Sequence, residues 1–175
     1  MALPDKYARV EWERRFLLRE FPSGAGIVQV RRITDRYIEG TRLRLRRMSD
    51  RDGQVLLKLT QKIPEPTTTA RRGLITTLRL SEEEFDRLAV LPGKLLSKTR
   101  YSVPPFGIDV FEAELEGLTL AEAEFESEDE ASALQIPSFV GAEVTGDPRF
   151  TGGSLVSAVR DDLRLWLAGY GIKLP

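Results

Sequence analysis

The sequence contains no cysteine and no histidine. The absence of cysteine excludes thiol redox chemistry and thiolate metal sites. The absence of histidine excludes imidazole general bases, serine–histidine triads and histidine-ligated zinc. No apolar run approaches the roughly 20 residues of a membrane-spanning helix, and the first residues lack the apolar core of a signal peptide. The sequence therefore predicts a soluble, cytoplasmic protein.

Charge is nearly balanced overall but is segregated along the chain. The net charge is −1 over 175 residues, and that length predicts a single domain over residues 1–175. Seven arginines fall between positions 31 and 47, whereas nine acidic residues fall between positions 112 and 130 without a lysine or arginine among them. Arginine suits bidentate binding of phosphate or carboxylate. On composition alone, solubility explains these charges more simply.

Alternation of polar and apolar residues predicts a mainly β protein. In the strand predicted over 10–18, Glu11, Glu13 and Arg15 share one face, and Trp12 and Phe16 share the other. Further strands are predicted over 27–34, 41–47, 54–63, 73–80, 95–103, 107–113 and 117–127. Helices are predicted over 81–91 and 154–168, and a loop over 135–151.

The polar face of each predicted strand is dominated by one kind of charge. The sets are Arg42, Arg44 and Arg46; Lys58 and Lys62; Lys98 and Arg100; and Glu122, Glu124 and Glu126. Two architectures fit this pattern equally well. One is a closed antiparallel barrel with its charges inward and helices outside, and the other is a sheet with its charged face in water.

The chemistry of the two charge types favours the barrel. A lumen of arginine and lysine fits a polyanion, and a wall of glutamates fits a hard divalent cation. Both walls are used if the ligand is a polyphosphate with a metal ion between it and the carboxylates. Such a site hydrolyses phosphoanhydrides without histidine, because metal and cations stabilise the developing charge.

The same stretches, in the same order, resemble a known family. "EWERRFLL" is similar to the N-terminal ExExK signature of the CYTH superfamily, the triphosphate tunnel metalloenzymes. Five further stretches are similar to later family motifs and extend the resemblance over about residues 10 to 160: "RLRLRR", "LTQK", "SKTRYSV", "IDVFEAELEGLTLAEAEFESEDEA" and "EVTGDPRF".

The resemblance implies a single CYTH-like domain built as a closed eight-stranded antiparallel β-barrel tunnel. It also implies Mg²⁺ or Mn²⁺ as cofactor and a triphosphate substrate, of which inorganic tripolyphosphate is preferred because a lumen of charges recognises phosphate alone. One alternative is an enzyme for an organic triphosphate, such as thiamine triphosphate or a nucleotide, including adenylate cyclase. The other is a non-catalytic module that binds polyphosphate or a nucleotide.

Residue roles follow from the same resemblance. Catalytic roles are assigned to Glu11, Glu13 and Arg15. The implied metal ligands are Glu11, Glu13, Asp109, Glu122 and Glu124. The implied phosphate-binding residues are Arg44, Arg46, Lys62, Lys98 and Arg100, joined by Arg42 and Lys58 because they share the same strand faces.

The chain departs from the family pattern at three places. Arg15 replaces the signature lysine, which keeps the charge but changes the shape of the cation. Leu74 and Thr76 are read at positions where many members carry glutamates after an arginine, here Arg71 or Arg72. "TGGS" stands where related proteins carry lysine or asparagine. These changes put turnover and substrate choice in question.

Partners are expected to be few. The near-neutral charge and the single aromatic residue beside the arginines, Tyr37, argue against nucleic acid, and no membrane contact is expected. An organic substrate needs an aromatic pocket, for which Tyr37, Phe106 and Phe150 are candidates. A two-fold homodimer is the default assembly. The apolar stripe of Leu163 and Trp166 is expected to pack against the barrel exterior.

Overall fold

A computed structural model describes residues 7–22, 24, 26–64 and 71–174. Within these residues the chain forms nine strands and four α-helices. The strands are β1 (Arg9–Leu18), β2 (Gln29–Ile38), β3 (Leu43–Asp50), β4 (Val55–Pro64), β5 (Arg71–Arg79), β6 (Gly93–Val103), β7 (Phe106–Phe111), β8 (Thr119–Phe125) and β9 (Val140–Glu143). The helices are α1 (Glu82–Ala89), α2 (Glu128–Ala133), α3 (Gly152–Leu155) and α4 (Arg160–Ala168).

Strand β1 closes the sheet into a barrel. The strands follow the order β5-β4-β3-β2-β6-β7-β8-β1, and β1 also pairs with β5. The first half of β1 pairs with β5, where Glu11 lies opposite Gly73, and its second half pairs with β8, where Arg15 lies opposite Glu122. Strand β9 adds to the end of β1 as a ninth, peripheral strand. The predicted closed eight-stranded antiparallel barrel is confirmed.

Cross-strand register identifies the residues that face the lumen. Residues opposite one another in an antiparallel pair lie on the same face of the sheet, and the face alternates along each strand. Glu13 lies opposite Glu124, Arg46 opposite Lys58, and Arg100 opposite Asp109. The charged faces of the strands therefore point into the barrel, as expected.

The outer face of one side of the barrel carries the first apolar core. Phe16, Phe106 and Ile108 are buried there against Phe139 and Val140, which follow α2. The rings of Phe16 and Phe106 meet edge to face with centroids 6.0 Å apart, a favourable geometry for aromatic pairs. This core explains why the apolar face of β1 points outward and its charged face inward.

A second core fills one end of the barrel. Leu17 and Leu120 lie opposite each other on the lumen face, beyond Arg15 and Glu122. They belong to a buried cluster with Leu163 and Leu167 of α4, and Trp166 packs against it. The C-terminal stripe packs on the barrel as predicted, but it covers the apolar end of the inner face and not the expected exterior.

Two elements differ from expectation. The loop predicted over 135–151 contains β9, whose Ala142 pairs with Leu17. The helix predicted over 154–168 is divided into α3 and α4, because Val159 is extended and its backbone N–H donates to the Asp162 carboxylate, which starts a new helix. Among the described helices, none is long and apolar enough to span a membrane.

Candidate active site in the barrel interior

The barrel encloses a cavity of about 340 Å³ beside the apolar end. Most of its wall is charged, and seven strands contribute to it. The lining residues are Glu11, Glu13, Arg15, Tyr37, Thr41, Arg42, Arg44, Arg46, Thr60, Lys62, Pro64, Ile75, Lys98, Arg100, Glu122, Glu124, Thr151, Gly152 and Gly153.

The acidic wall is formed by β1 and β8. Glu11 and Glu13 are each 4% exposed. Lys62 of β4 bridges them: its ammonium donates to Glu11 Oε1 at 2.7 Å and to Glu13 Oε2. Burial opposes the charge of Lys62, but Glu13 and Glu11 outweigh it and raise the lysine pKa. Lys62 thus occupies the position of a counter-ion between two carboxylates.

Arg15 links the two acidic strands. Its guanidinium donates to Glu13 and to Glu122 Oε1, the latter at 3.2 Å. Its backbone N–H donates to Thr145 Oγ1 at 3.0 Å, which fixes the strand against the segment after β9. Burial disfavours the charge on Arg15, but Glu13 and Glu122 reverse that effect and raise its pKa.

The cationic wall is held from behind by two buried aspartates. Asp35 of β2 accepts hydrogen bonds from Arg46 Nε at 2.6 Å and Nη2 at 2.7 Å. Asp109 of β7 accepts from Arg100 Nε and Nη2, both at 2.6 Å, and from Lys98. Because both carboxylates are fully buried, they fix the cations as ion pairs rather than leaving them mobile.

Two donors in this wall have no acceptor. Among the described residues, Arg15 Nη1 and Arg44 Nε are buried side-chain nitrogens without a hydrogen-bond partner. A buried unpaired donor is costly, by about 1–3 kcal/mol. Both residues line the cavity, so an anion entering it would meet donors that are already desolvated.

The carboxylates of β8 differ in their electrostatics. Burial raises the pKa of Glu122, but Lys98, Arg100 and Arg15 outweigh it and hold that pKa well below its usual range. Glu124 has a raised pKa, because burial is reinforced by the negative charges of Glu11 and Glu122. The protonated form is therefore more accessible to Glu124 than to Glu122.

The structure brings together eleven of the thirteen residues selected from the sequence. The eleven that line the cavity are Glu11, Glu13, Arg15, Arg42, Arg44, Arg46, Lys62, Lys98, Arg100, Glu122 and Glu124. Asp109 lies behind Lys98 and Arg100 and is paired with both, so its position is that of a support for the cations. Lys58 lies beyond the lining residues, beside Arg46.

Lys58 and Asp109 are the two predicted site residues that do not line the cavity. Asp109 is a predicted metal ligand, and its carboxylate already accepts hydrogen bonds from two cations, Lys98 and Arg100. Lys58 is a predicted phosphate-binding residue, and its side chain lies at the far end of the lumen.

Sequence reasoning missed the buried support Asp35 and several residues that line the cavity. Asp35 was missed because the lumen face of β2 mixes charged, apolar and aromatic residues, from Arg31 through Ile33 to Tyr37, and so lacks a uniform pattern. Asp35 and Tyr37 lie two residues apart on the same face of β2, and this alternation is the signal that could have identified Asp35. Thr60 and Ile75 were missed because neither carries a charge.

The register corrects the reading of β5. Glu11 lies opposite Gly73 and Lys62 lies opposite Ile75, so Gly73 and Ile75 occupy the lumen positions. Leu74 and Thr76 alternate with them and face outward. Of the two arginines considered, Arg71 is the one opposite Glu13. The positions read as lost glutamates are therefore Gly73 and Ile75.

Of the three aromatic candidates, only Tyr37 lines the cavity. Phe106 and Phe150 are buried in the two apolar cores. Tyr37 packs directly on the start of α3: a Cβ added at Gly152 would lie 1.9 Å from the Tyr37 hydroxyl oxygen. Glycine in the "TGGS" stretch thus allows the backbone to form part of the cavity wall.

Comparison with known proteins agrees with this geometry. No protein-family model matches the chain. The chain is 31% identical over 160 residues to the inorganic triphosphatase of Nitrosomonas europaea, and the alignment covers 85% of this chain and 98% of that protein. The chain belongs to the inorganic triphosphatase family. This agrees with its resemblance to the CYTH superfamily.

Two further relatives of this triphosphatase family support the assignment. The inorganic triphosphatase of Acetivibrio thermocellus is 40% identical over 63 residues, which are 36% of this chain and 39% of that protein. The crystal structure of the inorganic triphosphatase NE1496 matches with a TM-score of 0.55 and 28% sequence identity, covering 85% of this chain and 95% of that one.

Proposed function

We propose that this family member hydrolyses inorganic triphosphate inside the barrel. The observation that carries the proposal is the pair of buried donors without acceptors, Arg15 Nη1 and Arg44 Nε, in a wall of fixed cations. Non-bridging phosphate oxygens are strong acceptors for arginine. The cavity wall is mostly charged and includes seven lysines and arginines, and among the described residues that line it Tyr37 is the one aromatic. A substrate without an organic group fits that wall best.

A divalent metal ion fits the acidic wall. In the described part of the chain, no three acidic side chains converge tightly enough to hold a metal as they stand. However, Lys62 already bridges Glu11 and Glu13 as a cation, and Glu124 lies nearby with a raised pKa. Hard carboxylate oxygens are the ligands that Mg²⁺ and Mn²⁺ prefer. Glu11, Glu13, Glu122 and Glu124 would hold the ion.

The protein's own groups then divide the work. When bound, the metal would polarise a phosphoryl group and lower the pKa of a water molecule. Lys98, Arg100 and Arg46 would bind non-bridging oxygens and stabilise the charge that develops on them. Arg15 would hold one phosphate while keeping Glu13 and Glu122 in place. Asp35 and Asp109 would keep the cations aligned, so that little reorganisation is needed during the reaction.

The test is release of phosphate from tripolyphosphate, ATP and thiamine triphosphate, each with Mg²⁺, Mn²⁺ or EDTA. The proposal expects EDTA-sensitive release from tripolyphosphate in strong preference to the two organic substrates. Glu11→Gln combined with Glu13→Gln should abolish it. Glu114→Gln combined with Glu116→Gln removes the same charge from exposed positions and should leave it unchanged. Equal or faster release from ATP or thiamine triphosphate would overturn the choice of substrate.

A second function is favoured by one observation. Gly73 and Ile75 place no carboxylate on the lumen face of β5, which reduces the negative charge available to a metal or water. A tunnel that binds polyphosphate without hydrolysing it would show this composition. Absence of phosphate release, combined with a higher melting temperature in tripolyphosphate, would support this alternative.

The finer details belong to the same proposal. We expect Mg²⁺ or Mn²⁺ as the metal, a cytoplasmic location and a two-fold homodimer. Titration of the activity with each metal, fractionation of the source cells and light scattering of the purified protein test these three statements separately.

A further inference from the structure

A group of cations at the far end of the lumen is not used by the site described above. Lys58 of β4 lies opposite Arg46 on one side and opposite Arg79 of β5 on the other. Since opposite residues share a face, all three point toward the inside of the barrel. Arg31 of β2 occupies a lumen-facing position at the same end, because it alternates with Ile33 and Asp35.

These cations lack counter-ions, unlike five of the cations that line the cavity. Arg15, Arg46, Lys62, Lys98 and Arg100 each contact at least one carboxylate. Within the described residues, the side chains of Lys58, Arg79 and Arg31 make no salt bridge or hydrogen bond. The Asp50 carboxylate lies opposite Arg31 in register, but it accepts hydrogen bonds from the backbone N–H groups of Asp52 and Gln54 in the adjoining turn.

The electrostatic consequence is concentrated on Lys58. Burial lowers the pKa of its ammonium, and the positive charges of Arg46 and Arg79 lower it further, followed by those of Arg31 and Arg44. Uncompensated like charges repel one another, and an anion placed among them relieves that repulsion. Arginine and lysine together provide the donors that phosphoryl oxygens prefer.

We propose that Lys58, Arg79 and Arg31 form a second phosphoryl-binding site at the end of the lumen away from Lys62. Lys58 and Lys62 are four residues apart on β4, which corresponds to about 13 Å along a strand. The ligand is a phosphoryl group, which could come from free orthophosphate or from the end of a linear polyphosphate longer than three units. The inference rests on the proposed function if the phosphoryl group belongs to a longer polyphosphate. It is independent of that function if the ligand is free orthophosphate.

The experiment measures binding without turnover. Isothermal titration calorimetry in EDTA compares orthophosphate, tripolyphosphate and tetrapolyphosphate on three proteins: the wild type, Lys58→Gln with Arg79→Gln, and Arg47→Gln with Arg51→Gln. The last variant removes the same charge from exposed positions outside the lumen. Because binding is measured without metal, the result does not depend on whether the protein hydrolyses triphosphate.

The proposal expects the lumen variant to bind orthophosphate, tetrapolyphosphate or both about tenfold more weakly, while its affinity for tripolyphosphate falls clearly less. Loss for orthophosphate identifies a site for free phosphate, and loss for tetrapolyphosphate alone identifies a site for the end of a longer chain. Equal losses for all three ligands would place these residues in the triphosphate site and overturn the proposal. Unchanged affinities, or equal losses in the control variant, would also overturn it.

A second measurement separates binding from folding. Since Lys58 lies among positive charges, Lys58→Gln should not lower the melting temperature in phosphate-free buffer. The single variant Arg79→Gln, at an exposed position, should show the same selective loss of phosphate binding on a smaller scale. A phosphate affinity equal to that of the wild type in both single variants would contradict the site.

Discussion

Asp35→Asn tests the idea that buried aspartates organise the cationic wall. Asp35 is 1% exposed and accepts two hydrogen bonds from Arg46, at 2.6 and 2.7 Å. Arg44 Nε lies 3.7 Å from Asp35 Oδ1. Burial raises the pKa of Asp35, but Arg46 and Arg44 outweigh this effect and lower it, so the residue is ionised at neutral pH. Asparagine preserves the shape but removes the charge.

The expected loss of stability is large. Removing one member of a buried ion pair costs about 3–5 kcal/mol, because the remaining charge is left uncompensated. For a domain of this size, each kcal/mol lowers the melting temperature by about 2–4 °C. We therefore expect Asp35→Asn to melt about 6–20 °C below the wild type in buffer without phosphate, measured by circular dichroism. Asp86→Asn, at an exposed position of α1, should melt within about 2 °C of the wild type.

A ligand distinguishes this explanation from a general packing defect. If the missing charge is the cause, tripolyphosphate supplies negative charge next to Arg46 and should raise the melting temperature of Asp35→Asn more than that of the wild type. A melting temperature of Asp35→Asn equal to that of the wild type would refute the reasoning. A variant that is destabilised but gains no more from tripolyphosphate than the wild type would show that Asp35 acts through packing alone.

Three further predictions concern two residues of the cavity wall and the Asp147 carboxylate outside it. Lys62→Met should lose about 1–3 kcal/mol of stability at neutral pH, because the two β1 carboxylates lose their bridging cation, and Mg²⁺ should stabilise this variant more than the wild type. Gly152→Ala should cost about 1–3 kcal/mol, because its Cβ would lie 1.9 Å from the Tyr37 hydroxyl oxygen. Hydrogen bonding from Arg149, opposed by burial, lowers the pKa of Asp147 from 3.8 to about 2. The stability from this carboxylate, about 1 kcal/mol after screening, is complete above about pH 4 and lost as the pH falls toward 2.

Each of these has a matched comparison. Gly153→Ala is the control for Gly152→Ala, because a Cβ at Gly153 meets no atom within 4 Å; equal melting temperatures of the two would contradict the predicted contact. For Lys62→Met, a response to Mg²⁺ no larger than that of the wild type would argue against a metal between Glu11 and Glu13. The difference in unfolding free energy between Asp147→Asn and the wild type should shrink as the pH falls from 4 to 2. A difference that is independent of pH would contradict the assigned titration.

The fold could be predicted from alternation because most strands of the barrel separate a charged face from an apolar one. Glu11, Glu13 and Arg15 could be placed in the lumen from sequence because the opposite face of β1 is apolar and needs a core. The same logic failed for β5, where Gly73 and Ile75 leave the part of the lumen face beside Glu11 and Lys62 without charge. On such a strand only the pairing with β1 and β4 fixes the register.

The site could be predicted in its charges but not in its internal order. Sequence cannot distinguish a carboxylate that faces the ligand from one that faces other side chains, and Asp109 is an example of the second kind. Likewise, Lys58 shares a strand face with Lys62, and distance along the barrel, not face, separates their surroundings. The contribution of Gly152 depends on a close approach to Tyr37 that joins segments more than a hundred residues apart.

Strand β1 has a consequence for the order of events during folding. It carries three site residues, and it closes the barrel by pairing with both β5 and β8. The contact between Arg15 and Glu122 spans 107 positions of the chain, and contacts of such long range form slowly. During synthesis the first strand must wait for nearly the whole chain. Closure of the barrel and appearance of a complete phosphate site are consequently one event, so a partly folded chain has no partial version of the activity.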